Sequence, residues 1–256
     1  MKISWFSTGV TSAVATKIAL DLYDDVDIFY IDITSQHEDS YRFLSECQEW
    51  FGKEIKTVRN SKGFKDHFDV IEKHKYINGA RGARCSLELK KKVRYELEDK
   101  YKPTNQIFGF DFSKHEIERA ERFAEEYPDT NPLFPLIEAE LNKAECHGIL
   151  QKAGIKQPKM YDLGYPNNNC IGCVKGGAGY WNAIRRDFPD TFERMAKAER
   201  MVGKSCIKEK DKDKNIIRIF LDELDINKGN SLKPIVADCG LFCQTEFDYL
   251  TDKDNG

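Results

Sequence analysis

The segment Lys2-Ile3-Ser4-Trp5-Phe6-Ser7-Thr8-Gly9-Val10-Thr11-Ser12 decides the fold. Residues 2–6 are strand formers, and beyond Ser12 the apolar residues Ala13, Val14, Ile18 and Leu22 recur at helical spacing. The order is strand, small-residue turn, helix. A turn rich in Ser, Thr and Gly at a helix N-terminus aims backbone N–H groups and hydroxyls at one spot, where the helix dipole also favours negative charge. Ser7, Thr8, Gly9, Thr11 and Ser12 are therefore candidate contacts for a phosphate or sulfate. The same residues could instead do no more than cap the helix.

Outward from this segment, strand and helix alternate. Residues 26–33 (VDIFYIDI) read as a second, buried strand, and 39–51 as a helix with Tyr41, Leu44, Cys47 and Phe51 on one face. A third strand over 55–58 leads to a helical pattern over 63–74, a Gly- and Arg-rich loop over 78–84, and a basic helix over 86–101. A fourth strand over 106–110 and a charged helix over 113–126 follow. This alternation predicts an α/β fold with a doubly wound, mostly parallel sheet. Ligands of such sheets bind beyond the carboxyl ends of the strands, where the Ser7–Ser12 turn, Asp32 and Gly109 all fall.

Residues 1–136 form this core. Beyond Pro135 the strand rhythm fades into a helix over 138–153, an irregular linker over 157–169, a helix over 189–201, an exposed Lys- and Asp-rich loop over 208–214 and a strand over 216–221. Residues 137–256 thus read as a helical, cysteine-rich C-terminal region packed on the core, and no internal repeat is present.

The chain has 256 residues, of which 32% are charged, with a net charge of −3, so no global attraction to nucleic acid is expected. A local basic patch exists at Lys90, Lys91, Lys92 and Arg94. There is no apolar run of about 18 residues and no signal-peptide pattern, which predicts a soluble, cytoplasmic protein without a membrane partner.

Eight cysteines in such a chain point to metal or redox chemistry rather than a disulfide framework. Cys170-Ile171-Gly172-Cys173 lets two thiolates converge across a tight turn, and Cys239 and Cys243 offer a second pair. Two such pairs suit a tetrathiolate zinc site or a [4Fe–4S] cluster, which makes the C-terminal region metal-bearing. Cys47, on an apolar helical face, and Cys146 and Cys206, without partner spacing, read as inert buried residues.

The Ser7–Ser12 turn, placed directly after the first strand, resembles the PP-loop (SGGxDS) of the N-type ATP pyrophosphatases and of the phosphoadenosine phosphosulfate (PAPS) reductase-like proteins, an adenine nucleotide alpha hydrolase-like fold. Ser7, Gly9 and Ser12 match, while Thr8 replaces a Gly and Thr11 replaces the Asp. In the pyrophosphatases that Asp helps to place magnesium, and threonine lacks the charge a hard cation prefers. Sulfonucleotide reductases relax the same position, so the resemblance tilts from magnesium–ATP cleavage towards a nucleotide already carrying its phosphosulfate.

Further segments extend the resemblance. Cys85-Ser86-Leu87-Glu88-Leu89-Lys90 is similar to a family segment that makes Cys85 a cluster ligand, sulfur carrier or nucleophile, its pKa expected to be lowered by Arg84 and the helix start, with Lys90 a phosphate contact. Phe108-Gly109-Phe110 with Glu116 and Arg119, Pro135-Leu136, Gly164-Tyr165 leading to Asn169-Cys170-Ile171-Gly172-Cys173, and Gly179-Tyr180-Trp181 also look like family patterns. Asp238-Cys239-Gly240-Leu241 looks like the ECGLH segment whose cysteine attacks sulfur; in that role Cys239 leaves the metal set and Cys85 replaces it. Two departures stand out: Phe242 occupies the histidine position, and Phe110 and Asp111 stand where a substrate-gripping arginine follows the glycine.

The resemblance implies an enzyme that binds an adenine nucleotide, ATP or PAPS, and uses cysteine or metal chemistry for sulfur transfer or reduction, with an external thiol or sulfur donor. Two alternatives remain: an ATP pyrophosphatase-type enzyme that adenylates and thiolates a nucleic acid, and a non-catalytic nucleotide-binding scaffold stapled by zinc.

Overall fold

The computed structural model describes residues 1–79, 82–210, 214–230 and 232; Cys239 and Cys243 lie outside the described residues. Five parallel strands form the main sheet: β1 (Lys2–Phe6), β2 (Val26–Ile31), β3 (Ile55–Val58), β6 (Asn105–Ile107) and β7 (Pro132–Leu133), in the spatial order β3-β2-β1-β6-β7. Two small antiparallel hairpins stand apart, β4 (Asn78–Gly79) with β5 (Gly82–Ala83), and β8 (Ile207–Lys210) with β9 (Ile216–Ile219).

Side-chain alternation sorts the central strands between two faces. Phe6, Ile28 and Tyr30 join a core with Val10, Val14 and Ile18 of α1 (Val10–Leu22) and Phe43 and Cys47 of α2 (Asp39–Phe51). Ile3 and Phe29 point the other way, onto Val93 and Leu97. Those two belong to α4, residues 84–101, which is α-helical over Arg84–Ser86, π-helical over Leu87–Lys91 and α-helical again over Lys92–Tyr101. Helices on both faces of a parallel sheet make the fold doubly wound. Each fully buried aliphatic side chain here stabilises the fold by about 1.5–3 kcal/mol.

From β1 the chain first builds towards β2 and β3, and later returns to place β6 on the other side of β1. The strand order reverses between β1 and β6. In open α/β sheets the carboxyl ends of the strands at such a switch point are the usual ligand position.

Past the sheet, helix α5 (Lys114–Glu126) is followed by two separate helices where the sequence reads as one: α6 (Pro135–Glu138) and α7 (Lys143–Lys152). The break is a capping box, with the Asn142 side chain accepting from the Glu145 N–H and the Glu145 carboxylate accepting from the Asn142 N–H. Leu150 and Cys146 of α7 enter the same core as α1, so residues beyond 136 complete the packing around α1. The expected linker holds the short helix α8 (Lys159–Asp162).

A second core gathers Trp181 and Ile184 of α9 (Ala178–Asp187), Phe192 and Met195 of α10 (Pro189–Val202), and Cys206, Ile207, Leu221 and Leu224. It is shared with Phe68 and Ile71 of α3 (His67–His74), so it is not closed within the C-terminal region. No helix among the described residues is long and apolar enough to cross a membrane.

Candidate nucleotide and thiol site

The turn between β1 and α1 is held from inside by Ser12, whose Oγ accepts from the Ser7 N–H (3.1 Å) and from Ser7 Oγ (3.1 Å) and donates to the Gly9 carbonyl (2.9 Å). Ser12 is buried and Ser7 exposed, so Ser12 shapes the loop while Ser7 presents it. Thr8 has φ 55°, the left-handed region in which glycine is at ease, which is why the related motif carries glycine there. The β-branched residue is kept in place by hydrogen bonds: Thr8 Oγ1 donates to the Ser7 carbonyl (2.6 Å) and accepts from Gln36 Nε2 (3.3 Å) and Asn168 Nδ2 (3.2 Å).

Helix α1 starts at Gly9 with no side-chain cap and no acidic residue in its first turn. Helices α3 and α7 are capped by Asp66 and Asn142. The first N–H of α1, that of Val10, is taken by Tyr161 OH (3.3 Å), and the dipole of the helix still favours an anion before its N-terminus at the switch point. Gly109, just past β6, backs this loop: a Cβ there would stand 2.8 Å from the Ser12 N and Cα atoms. Its part is close backbone approach.

Asp32 reaches the same sheet edge but is fully engaged. Its Oδ1 accepts from Tyr41 (2.9 Å), and its Oδ2 accepts from Arg59 Nε (2.9 Å) and Nη2 (2.5 Å). With Thr11 uncharged, no free carboxylate lies within the loop itself.

The segment before the CxxC turn is pinned to this loop. Buried Asn168 donates from Nδ2 to the Thr8 carbonyl (2.8 Å) and to Ser40 Oγ (3.0 Å), and Tyr161 OH accepts from the Val10 N–H (3.3 Å). Two residues past Asn168 the chain reaches Cys170, and the Ile171 N–H donates to the Ser35 carbonyl (2.8 Å). Tyr180 closes the turn, accepting from the Cys173 N–H (2.9 Å) and donating to the Cys170 carbonyl (3.2 Å). Gly172 sits at φ +78°, and a Cβ there would meet Thr191 at 2.7 Å. Behind it, buried His67 bonds Ser35 Oγ through Nδ1 (3.1 Å). Burial holds His67 neutral, its pKa lowered to about 4.

Cys85 comes to this turn from the start of α4. It packs with Cys170 against Ile33, Val70 and Leu89, and with Ile171 against the second core. Burial, then the charges of Cys170 and Cys173, push its thiol up to about 11, against the smaller pull of Lys175 and Lys90. The expected lowering by Arg84 does not occur, because Arg84 is bound to Glu88 (Nη2–Oε1 2.7 Å). Burial also raises Cys170, offset in part by Lys90 and a hydrogen bond from Ser35. Lys90 is exposed, and its charge pulls down the pKa of both thiols.

Cys206, read from the sequence as inert, is buried in the second core, where burial and then the Glu199 carboxylate push its thiol up. Cys47 and Cys146 are buried in the α1 core, away from it. Among the described residues, no three His, Cys, Asp or Glu side chains converge as they do on a single metal ion. Asn168, Tyr161 and Arg59 were missed by sequence reasoning. Only Asn168 carried a signal, as the middle of the Asn167–Asn169 run, and that run reads as linker composition.

Taken together, the reversed strand order and the glycine-backed turn at the start of α1 define an α/β domain of the PP-loop type. The chain matches the phosphoadenosine phosphosulfate reductase domain over residues 3–177 and belongs to that family. The crystal structure of phosphoadenylyl-sulfate (PAPS) reductase from Candida auris, a phosphate complex, is similar with a TM-score of 0.50 at 14% sequence identity, covering 66% of this chain and 80% of that one. At that identity the likeness is one of fold. No curated protein sequence matches the chain.

Proposed function

We propose that this protein binds an adenine nucleotide carrying a phosphosulfate at the Ser7–Ser12 loop and delivers its sulfur to cysteine chemistry at the adjoining thiol turn. The observation that carries this reading is the Asn168 pin, which sets the N-terminus of α1 beside the CxxC segment. Membership in the PAPS reductase family supports the same substrate class. The engaged Asp32 and the uncharged Thr11 favour a nucleotide that needs no magnesium-guided cleavage.

In the reaction so read, a thiolate attacks the sulfur of the phosphosulfate. A sulfur–sulfur bond forms as the bond from sulfur to the phosphate oxygen breaks, and adenosine 3′,5′-bisphosphate leaves. Two electrons from an external dithiol then free sulfite and restore the thiol. Cys85, buried with a raised pKa, is a poor nucleophile at neutral pH and better suited to ligation, so Cys239 takes the nucleophilic role. Cys85, Cys170 and Cys173 are soft donors of the type that a thiolate-bound metal group takes. The group expected there is a zinc ion or an iron–sulfur cluster, and among the described residues these thiols do not converge as ligands of one metal ion. Such a cluster supplies electron transfer or sulfur binding next to the nucleotide.

The test is a direct comparison of substrates on the full-length, anaerobically purified protein. PAPS with a dithiol reductant is expected to give sulfite and adenosine 3′,5′-bisphosphate, and Cys239→Ser to abolish both. Pyrophosphate release from magnesium–ATP, with no sulfite from PAPS, would replace this reading with activation and thiolation of an acceptor such as a nucleic acid. Nucleotide binding without turnover of either would leave a scaffold.

A further inference from the structure

Asp32 leaves β2 level with the Ser7–Ser12 loop. In the register of the two strands Phe6 pairs with Tyr30, so Thr8 and Asp32, each two residues further on, come off neighbouring strands about 5 Å apart. Gln36 ties the two exits together, donating from Nε2 to Thr8 Oγ1 (3.3 Å) and accepting from Tyr30 OH (2.6 Å). On the far side of β2, Arg59 follows the last residue of β3, where the Asp32 N–H donates to the Val58 carbonyl (2.9 Å). The turn beyond is braced as well: Asn60 Oδ1 accepts from the Phe64 N–H (2.9 Å), and the Lys65 carbonyl accepts from the Thr34 N–H (3.1 Å). The backbone of Arg59 is thereby fixed at the sheet edge that carries the loop.

Its side chain is fixed too. The Asp32 side chain is 2% exposed, yet the Arg59 side chain bound to it is 66% exposed, and Tyr41, which holds the other carboxylate oxygen, is 50% exposed. Desolvating a carboxylate is costly, and so is ordering a long side chain in solvent. What the arrangement delivers is direction. Arg59 gives its Nε and Nη2 to Asp32. A guanidinium carries five N–H groups in a planar fork, so with that edge on Asp32 the opposite edge, Nη1 with the second Nη2 hydrogen, stays available. Such an edge suits bidentate contact with a phosphate. Because β2 lies between β3 and β1, the ion pair also draws the guanidinium from its own strand end towards the loop.

PAPS has two anionic ends, the phosphosulfate on the 5′ side and a phosphate on the ribose 3′ oxygen. The Ser7–Ser12 loop, which contains no Lys or Arg, takes one of them. We propose that Arg59 binds the other, reading the ribose 3′-phosphate, with Asp32 and Tyr41 as its positioning residues. This inference rests on the proposal above that the loop holds an adenine nucleotide carrying a phosphosulfate.

The experiment is calorimetric titration of the full-length protein with adenosine 3′,5′-bisphosphate and, separately, with adenosine 5′-monophosphate, which lacks only the 3′-phosphate. Wild type is expected to prefer the bisphosphate. Arg59→Ala is expected to weaken the bisphosphate about tenfold and to leave the monophosphate within about twofold, and Arg59→Lys, which keeps the charge without the fork, to recover only part of the loss. Asp32→Asn separates aim from charge. It makes the site more positive, so charge alone would tighten the bisphosphate, whereas loss of aim weakens it, which is the expected result. Equal weakening of both nucleotides in Arg59→Ala, or none, would overturn the proposal, as would tighter bisphosphate binding in Asp32→Asn. A wild type that binds both nucleotides equally well would overturn it while leaving the nucleotide reading in place. A wild type that binds neither would remove that reading, and the role of Arg59 with it.

Discussion

Gly109 shows how one residue can decide a binding loop without touching the ligand. Its missing side chain lets the end of β6 lie against the backbone of Ser12, where a Cβ would be 2.8 Å from two main-chain atoms. Backbone cannot step aside as a flexible side chain can. Gly109→Ala is therefore expected to cost about 1–3 kcal/mol of stability, read by urea unfolding, and to weaken binding of adenosine 3′,5′-bisphosphate about tenfold in calorimetry. Unchanged affinity would show that the loop has slack. The sequence placed Gly109 at a strand end beside the Ser7–Ser12 turn, and the structure puts it there; its reason for being glycine needed the packing. Asp32 illustrates the opposite limit. Its position at the sheet edge was legible, but its engagement by Arg59, 27 residues away, was not, because no local pattern encodes which cation a buried carboxylate will meet.

At the level of elements, α4 carries the clearest electrostatic signature. Glu88, fully buried, is bound by Arg84 (2.7 Å), Lys92 (2.8 Å) and Lys62 (3.2 Å). Burial alone would raise its pKa, but hydrogen bonds from Lys92 and Lys62 and the charges of Lys92 and Arg84 outweigh it and lower the value to about 2. A carboxylate whose folded pKa lies below its unfolded value stabilises the fold above the unfolded value and loses that contribution as pH falls. The contribution of Glu88 is thus complete above about 4.5 and gone near 2. It amounts to roughly 2 kcal/mol once solvent screening of the part-exposed cations is allowed for. Denaturation curves of wild type and Glu88→Gln are expected to differ at neutral pH, with the variant weaker, and to converge as pH falls through that window; a constant gap would mean that Glu88 acts by packing alone. The existence of α4 was legible from its basic helical pattern, whereas its π-helical turn was not. The split between α6 and α7 was announced by Asn142 and Glu145, a capping pair that a continuous helical reading passes over.

Over the whole molecule, the doubly wound sheet was legible because alternating strand and helix patterns leave few topologies for a chain of this length. The second core was not legible, since it joins α3 to α9 and α10 across more than a hundred residues and its members follow no shared period. One feature that crosses these scales is the Asn168 pin between the nucleotide loop and the CxxC segment. Two ligands that each order the same hydrogen-bonded joint pay for its ordering only once, so they bind cooperatively, and thermodynamic reciprocity makes the two effects equal. With a metal group on the thiols, the loaded protein is expected to bind adenosine 3′,5′-bisphosphate about fivefold or more tightly than the stripped protein, a coupling of about 1 kcal/mol. Asn168→Ala should bring the two affinities together in paired titrations, and an undiminished ratio would place the coupling elsewhere. With the thiols and the loop occupied as proposed, the pin makes affinity at the loop a report on the state of the thiol site.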